Sequence, residues 1–185
     1  MAVSPHARQL ILDHLAASET QLLAELGNLT PSQWHFRESL DRWSIADNLE
    51  HLILFEAFIR DAVRRTLEAP ATSEKSQKAV EKEALVLDLA NSRATPFSAR
   101  DAVRPSGANP DPAAMVADFR ATRAKTVAFA TETQADLRLH FFPHIAFGAL
   151  DCYQWLLVLG QHALRHCRQI EQIKTDRSFP NGRHG

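Results

Sequence analysis

The stretch QHALRHCRQIEQIK, residues 161–174, carries His162 and His166 four positions apart in a segment with helical patterning. On a helix this spacing stacks two side chains on one face. It lets two imidazoles reach one ion, as in the H-E-x-x-H sites of metalloproteases. Here Ala163, Leu164 and Arg165 intervene, so no glutamate follows the first histidine and the protease motif is absent. Taken alone, the pair could equally be two ordinary helix histidines packed in a core.

Helical phase places both rings. With His162 at zero, Trp155 and Ile173 fall at about 20°, His166 at about 40° and Ile170 at about 80°. Gln154, Gln161, Arg165, Arg168 and Gln172 gather on the other side, as a polar stripe. A second segment, WSIADNLEHLILFE at residues 43–56, puts His51 on a stripe shared with Phe55 and Phe58. A buried imidazole needs partners for both ring nitrogens. One divalent ion satisfies one nitrogen on each of three rings, and neutral imidazoles suit zinc, nickel, copper or iron. His51, His162 and His166 are therefore the candidate metal ligands. His140 and His144, just before the last helix, are candidates to line the mouth of the site, and Asn48 and Tyr153 to support ligands or substrate. His6, His14 and His35 read as surface or packing residues, and His184 lies in the tail.

Four long helical patterns position these residues: Pro5 to Gly27, Ser44 to Ala69, Pro112 to Thr133 and Asp151 to Lys174. Gly27 is a helix stop. Thr30-Pro31 predicts a short helical turn, and Asp111-Pro112 a cap followed by a first-turn proline. Ser44 with Asp47 forms an acidic variant of the capping box. In the third pattern Met115, Phe119, Thr122, Thr126 and Phe129 line one face. Residues 70–110 are the least regular; AVEKEALVLDLANS could form a helix, and the Pro- and Ser-rich remainder reads as a long crossover. RLHFFPHIAFGAL, residues 138–150, is a second irregular segment with at most short extended pieces and no good strand hairpin. The reading is all-α: one four-helix-bundle domain over residues 1–175, with a long crossover between helices two and three, and a flexible tail over 176–185.

The bulk numbers agree. The chain has 185 residues, 45% of them hydrophobic and 23% charged, as expected of a soluble globular protein. Its net charge of −1 and pI near 6.8 lack the basic excess of nucleic-acid binders. No stretch approaches the ~20 apolar residues of a membrane span, and the N-terminus reads as a helix start rather than a signal peptide. Cys152 and Cys167 on one helix would sit roughly 22 Å apart, beyond disulfide reach. Two free thiols agree with a reducing compartment, so the cytoplasm is expected.

The segments at 43–56 and 153–174, in this order and spacing, resemble the two signature helices of the DinB/YfiT-like superfamily; W-S followed after six intervening residues by histidine, and H-x-x-x-H, carry the resemblance. The crossover, third helix and HFFPHIAFGALDCYQW resemble those of the DinB-like domain proteins, so nearly the whole chain is covered. The resemblance implies an up-down-down-up bundle and a divalent metal, nickel or zinc, on His51, His162 and His166. It also implies a homodimer built through bundle helices. Relatives include metal-dependent hydrolases and thiol-dependent transferases acting with low-molecular-weight thiols.

Three histidines leave an open coordination position, the arrangement of a catalytic metal. Water activated there would attack an ester, amide or similar small-molecule substrate. A thiol held as thiolate would instead attack an electrophile. A metal that only staples the bundle, or a bundle that binds a ligand or partner, is the third possibility. Glu50, Asp47, Glu171 and His144 are the candidate bases, unranked by sequence.

Overall fold

The computed structural model describes residues 3–72, 76–89, 101–107 and 111–181. Its elements are α1 (Pro5–Leu26), α2 (Pro31–Trp34), α3 (Ile45–Leu67), α4 (Ser76–Leu89), a 3-10 turn (Asp101–Val103), α5 (Pro112–Glu132), β1 (Phe141–His144), β2 (Gly148–Asp151) and α6 (Cys152–Lys174). The four long helices, α1, α3, α5 and α6, form the expected bundle.

The caps set the helix starts. Ser44 Oγ accepts from Asp47 N–H while the Asp47 carboxylate accepts from Ser44 N–H at 2.7 Å. Asp151 and Gln154 make the same reciprocal pair at the start of α6. Thr30 and Gln33 repeat it on the short α2, and Asp111 caps α5 with Pro112 at its first position. At the end of α1, Gly27 is extended and Asn28 takes the positive φ of 58°. The stop there comes from an asparagine that tolerates the left-handed region, not from the glycine.

Cross-helix hydrogen bonds fix the helix directions. Arg8, near the start of α1, donates to the carbonyls of Ala130, Thr131 and Thr133 at the end of α5, so these helices are antiparallel. Gln161 pairs with His14 and Lys174 with Glu25, so α1 and α6 are parallel. His51 meets His162 and His166 meets Asn48, so α3 and α6 are antiparallel. The order is up, down, down, up. Parallel neighbours α3 and α5 need a connection that returns the length of α3, about 34 Å at 1.5 Å per residue. Residues 68–111 make that return. Within them α4 realises the helix suggested for AVEKEALVLDLANS; residues 90–100 and 108–110 lie outside the described residues.

Helix α6 is the central element. Every residue from Cys152 to Gln161 is buried, including Gln154 and Gln161, which phase alone assigned to a polar stripe. Gln154 is consumed in its capping box, and Gln161 Nε2 lies 3.1 Å from His14 Nδ1. Gly160 permits the close crossing with α1, since a Cβ there would stand 3.0 Å from the His14 carbonyl oxygen.

Two features were not anticipated. Residues 141–151 form an antiparallel hairpin, Phe141 opposite Asp151 and His144 opposite Gly148. It is pinned where Phe142 stacks on Trp155 at 4.5 Å and accepts from the Trp155 indole. Arg123 of α5, beside the face expected for Thr122 and Phe129, is 1% exposed. Its guanidinium pairs with Glu56 of α3 at 2.8 Å and donates to Ser18 Oγ and the Leu15 carbonyl of α1. Residues 176–181, read as the start of a flexible tail, make packing contacts: Phe179 meets Phe36 edge-on at 5.4 Å, and Gln33 donates to the Pro180 carbonyl. Both cysteines are buried free thiols. No helix among the described residues is long and apolar enough to cross a membrane.

Removing one partner of a fully buried, hydrogen-bonded ion pair strands the other. Arg123→Leu should therefore cost about 3–5 kcal/mol in chemical denaturation, while Arg123→Leu with Glu56→Leu should recover much of that loss. Equal losses in the single and double variants would contradict this role.

Candidate metal centre

His51 comes from the second turn of α3, and His162 and His166 from successive turns of the antiparallel α6. The three rings meet where these helices face each other. His162 Nε2 lies 3.4 Å from His51 Nε2 and 3.3 Å from His166 Nε2. The three ligand atoms lie within 4.8 Å of one another, the one such cluster of His, Cys, Asp or Glu found among the described residues.

The outward nitrogens identify the inward ones. His51 Nδ1 is 2.7 Å from the carbonyl oxygen of Val103, which can only accept, so Nδ1 carries the proton and Nε2 a lone pair. His166 Nδ1 is 2.7 Å from Asn48 Oδ1. The Asn48 amide is oriented because its Nδ2 donates to the Ser44 carbonyl at 2.8 Å. His166 Nδ1 therefore donates too. Two lone pairs thus face the His162 ring, whose own buried Nδ1 has no hydrogen-bond partner among the described residues. Either a proton on His162 Nε2 or a cation must lie between the rings. The donor set fits a metal. Nitrogens at 2.0–2.1 Å from a tetrahedral zinc stand about 3.3–3.4 Å apart, and histidine ligands characteristically donate their other N–H to a carbonyl or similar acceptor.

The surroundings are aromatic. Trp43, just before the cap of α3, lies tilted 4.9 Å from His51 and stacks 6.2 Å from His166, and Phe55 lies 4.0 Å from His162. Burial, then the neighbouring His166 and His51 rings, then Arg165 and His144, hold His162 well below its ordinary value of 6.5. Burial likewise lowers His51, with the Val103 hydrogen bond opposing. The neutral, ligating form is the favoured one.

The other expected residues divide. Asn48 is at the site, as the acceptor that orients His166. His144 is near enough to His162 to affect its titration, and its ring stacks on Phe147 and leans on Trp155. His140 is elsewhere: its Nδ1 donates to the Thr66 carbonyl at the far end of α3, at 3.2 Å. Tyr153 is also elsewhere. It sits nine residues before His162, about 13 Å along the helix, under the Arg138 guanidinium and donating to Glu83 at 3.1 Å. Two residues at the site escaped sequence reading. Trp43 was quoted only as part of a motif, and Val103 acts through its backbone carbonyl, which no side-chain pattern reveals.

The lowered pKa of His162 and His51 sets a pH dependence for the metal-free protein. Below about 6.5 the unfolded chain binds protons that the folded site refuses, so stability is lost as pH is lowered through that window and is level above it. Thermal unfolding of metal-free protein should show this fall, and His162→Leu should reduce it. A profile identical in the two proteins would contradict the assignment.

The sequence profile of the DinB superfamily matches residues 14–170, a span that includes all three histidines. YuaE of Bacillus subtilis strain 168, an uncharacterised protein, is 26% identical over 154 residues, covering 81% of this chain and 88% of YuaE. YfiT of Bacillus subtilis, described as a probable metal-dependent hydrolase with an unusual four-helix bundle topology, superposes with a TM-score of 0.53. That match has 14% identity and covers 94% of this chain and 89% of YfiT. With the profile spanning most of its length, this chain belongs to the DinB superfamily.

Proposed function

We propose that this protein is a metal-dependent hydrolase of small molecules, with a divalent ion, zinc or nickel, held by His51, His162 and His166. The observation that carries this reading is the convergence of three imidazole Nε2 atoms, two of them fixed as lone-pair donors by acceptors behind their rings. The description of the structural neighbour YfiT as a probable metal-dependent hydrolase supports it. Bound there, the ion would supply Lewis acidity, lowering the pKa of a water and polarising a substrate carbonyl.

The chain's own groups would bind, orient and move protons. Trp43 and Phe55 give the site an apolar wall that suits an uncharged acyl or alkyl group. The candidate bases now differ. Asp47 is committed to Ser44 and to an ion pair with Arg37 at 2.8 Å. Glu171 is exposed on α6. Glu50 accepts from Ser106, and its other oxygen, Oε2, has no hydrogen-bond partner among the described residues. His144 Nδ1 accepts the backbone N–H groups of Ala146 and Phe147, so its neutral ring carries the proton on Nε2. In that tautomer it is a donor to a substrate oxygen or leaving group, not a base. The absence of a carboxylate from the three-histidine cluster favours a second reading, transfer chemistry on a low-molecular-weight thiol. Such a thiol, held as thiolate, needs no base at the attacking step. The two buried free thiols agree with a reducing cytoplasm, and the family resemblance implies a homodimer.

Purified protein should bind one divalent ion per chain, and His51→Ala, His162→Ala and His166→Ala should each lose it. Panels of esters and amides, and of electrophiles with glutathione, mycothiol and bacillithiol, separate the chemistries. Thiol-independent turnover that disappears in His162→Ala establishes the hydrolase, and turnover seen solely with a thiol contradicts it. Bound metal with silence in both panels leaves a structural metal. Wild-type metal content in the histidine variants overturns the site.

A further inference from the structure

Part of the long crossover lies against α3 beside the metal centre. Its 3-10 turn, Asp101–Val103, is closed by the Arg104 N–H donating to the Asp101 carbonyl at 3.2 Å. Val103 is 4% exposed, and its carbonyl takes the His51 Nδ1 proton at 2.7 Å. Three residues on, Ser106 donates through both its backbone N–H and its hydroxyl to one oxygen of Glu50, at 3.0 and 2.7 Å. Glu50 immediately precedes His51. One short strap is thus tied to α3 at two adjacent residues, by a carboxylate at one and an imidazole at the other. The imidazole bond is one hydrogen bond to the strap, beside the burial of the Val103 side chain. The carboxylate adds two charge-assisted hydrogen bonds, roughly twice as strong as neutral ones.

We infer that Glu50 is a positioning residue for the metal centre: by clamping Ser106 it holds the Val103 carbonyl on His51 Nδ1–H and so keeps the His51 Nε2 lone pair aimed at His162 and His166. This rests on the metal-binding reading but assigns Glu50 a role that is neither ligand nor base. Outer partners of ligating histidines change metal affinity about 10–100-fold when removed. Glu50 acts at one remove, through the strap, so its effect belongs in the lower part of that range.

The test uses full-length protein with Glu50→Ala, Glu50→Gln and Ser106→Ala. Zinc affinity is read by competition with a chromophoric chelator, and the His51 tautomer by nitrogen-15 NMR of metal-free protein. Glu50→Ala should bind zinc about tenfold more weakly and show His51 with its proton shared between Nδ1 and Nε2. Ser106→Ala should shift both readouts in the same direction by less, because its backbone N–H remains. Glu50→Gln keeps an acceptor oxygen and should stay close to wild type in both, whatever it does to turnover. Metal-free unfolding midpoints should barely move. Wild-type zinc affinity and a fixed His51 tautomer in Glu50→Ala would overturn the inference. So would a loss of affinity matched by unfolding of the metal-free variant, which marks a merely structural role. If wild-type protein takes no zinc, the metal reading fails, and the tautomer comparison still decides whether Glu50 positions His51.

Discussion

Two Nδ1–H groups, on His51 and His166, each end on a fixed acceptor, and this constraint sets the character of the molecule's centre. A neutral imidazole that donates from one nitrogen must offer a lone pair at the other. Val103 and Asn48 therefore aim two lone pairs at the third ring. Facing lone pairs repel in a low-dielectric interior, so such an arrangement persists only with a proton or a cation between them. Burial disfavours charge on the rings themselves, as the lowered pKa of His162 and His51 shows. A divalent ion would satisfy all three nitrogens, whereas the neutral Nε2–H tautomer of His162 offers one proton to two lone pairs.

The fold serves this seam. His51 and the H-x-x-x-H pair can meet only if α3 and α6 are antiparallel neighbours, and the up-down-down-up order makes them so. That order leaves α3 and α5 parallel, which forces the long return of residues 68–111. The return is in turn what brings Val103 behind His51. The buried Arg123–Glu56 pair ties α5 to α3, with Leu15 and Ser18 of α1 completing its hydrogen bonds. A requirement of connectivity and a requirement of ligand orientation are met by the same segment.

Much of this was legible in the sequence, for identifiable reasons. The helices announce themselves through caps that the structure reproduces at Thr30, Ser44 and Asp111. The ligand histidines share helical phase with large apolar neighbours, so their inward direction follows from periodicity. Asn48, named in the sequence as possible support for ligands or substrate, stands one turn before His51 and accepts from His166. Other features were hidden because periodicity reports which residues are polar, not whether a partner awaits them. Gln161 and Arg123 are polar and buried, each satisfied by a group distant in sequence, and Gln154 is taken up by its capping box with Asp151. The hairpin at 141–151 is short, interrupted by Pro143, and formed around residues of weak strand preference. His140 and Tyr153 were near the ligands in sequence alone; one anchors the far end of α3 and the other packs beneath Arg138. Val103 contributes a carbonyl, which every residue possesses.

The central claim is that one ion sits among three imidazoles, and X-ray absorption at the metal edge addresses it most directly. Zinc-loaded protein should show three imidazole nitrogens at about 2.0–2.1 Å, with the remaining coordination from a light oxygen donor. A first shell with sulfur near 2.3 Å, or with fewer than three imidazoles, would contradict the account.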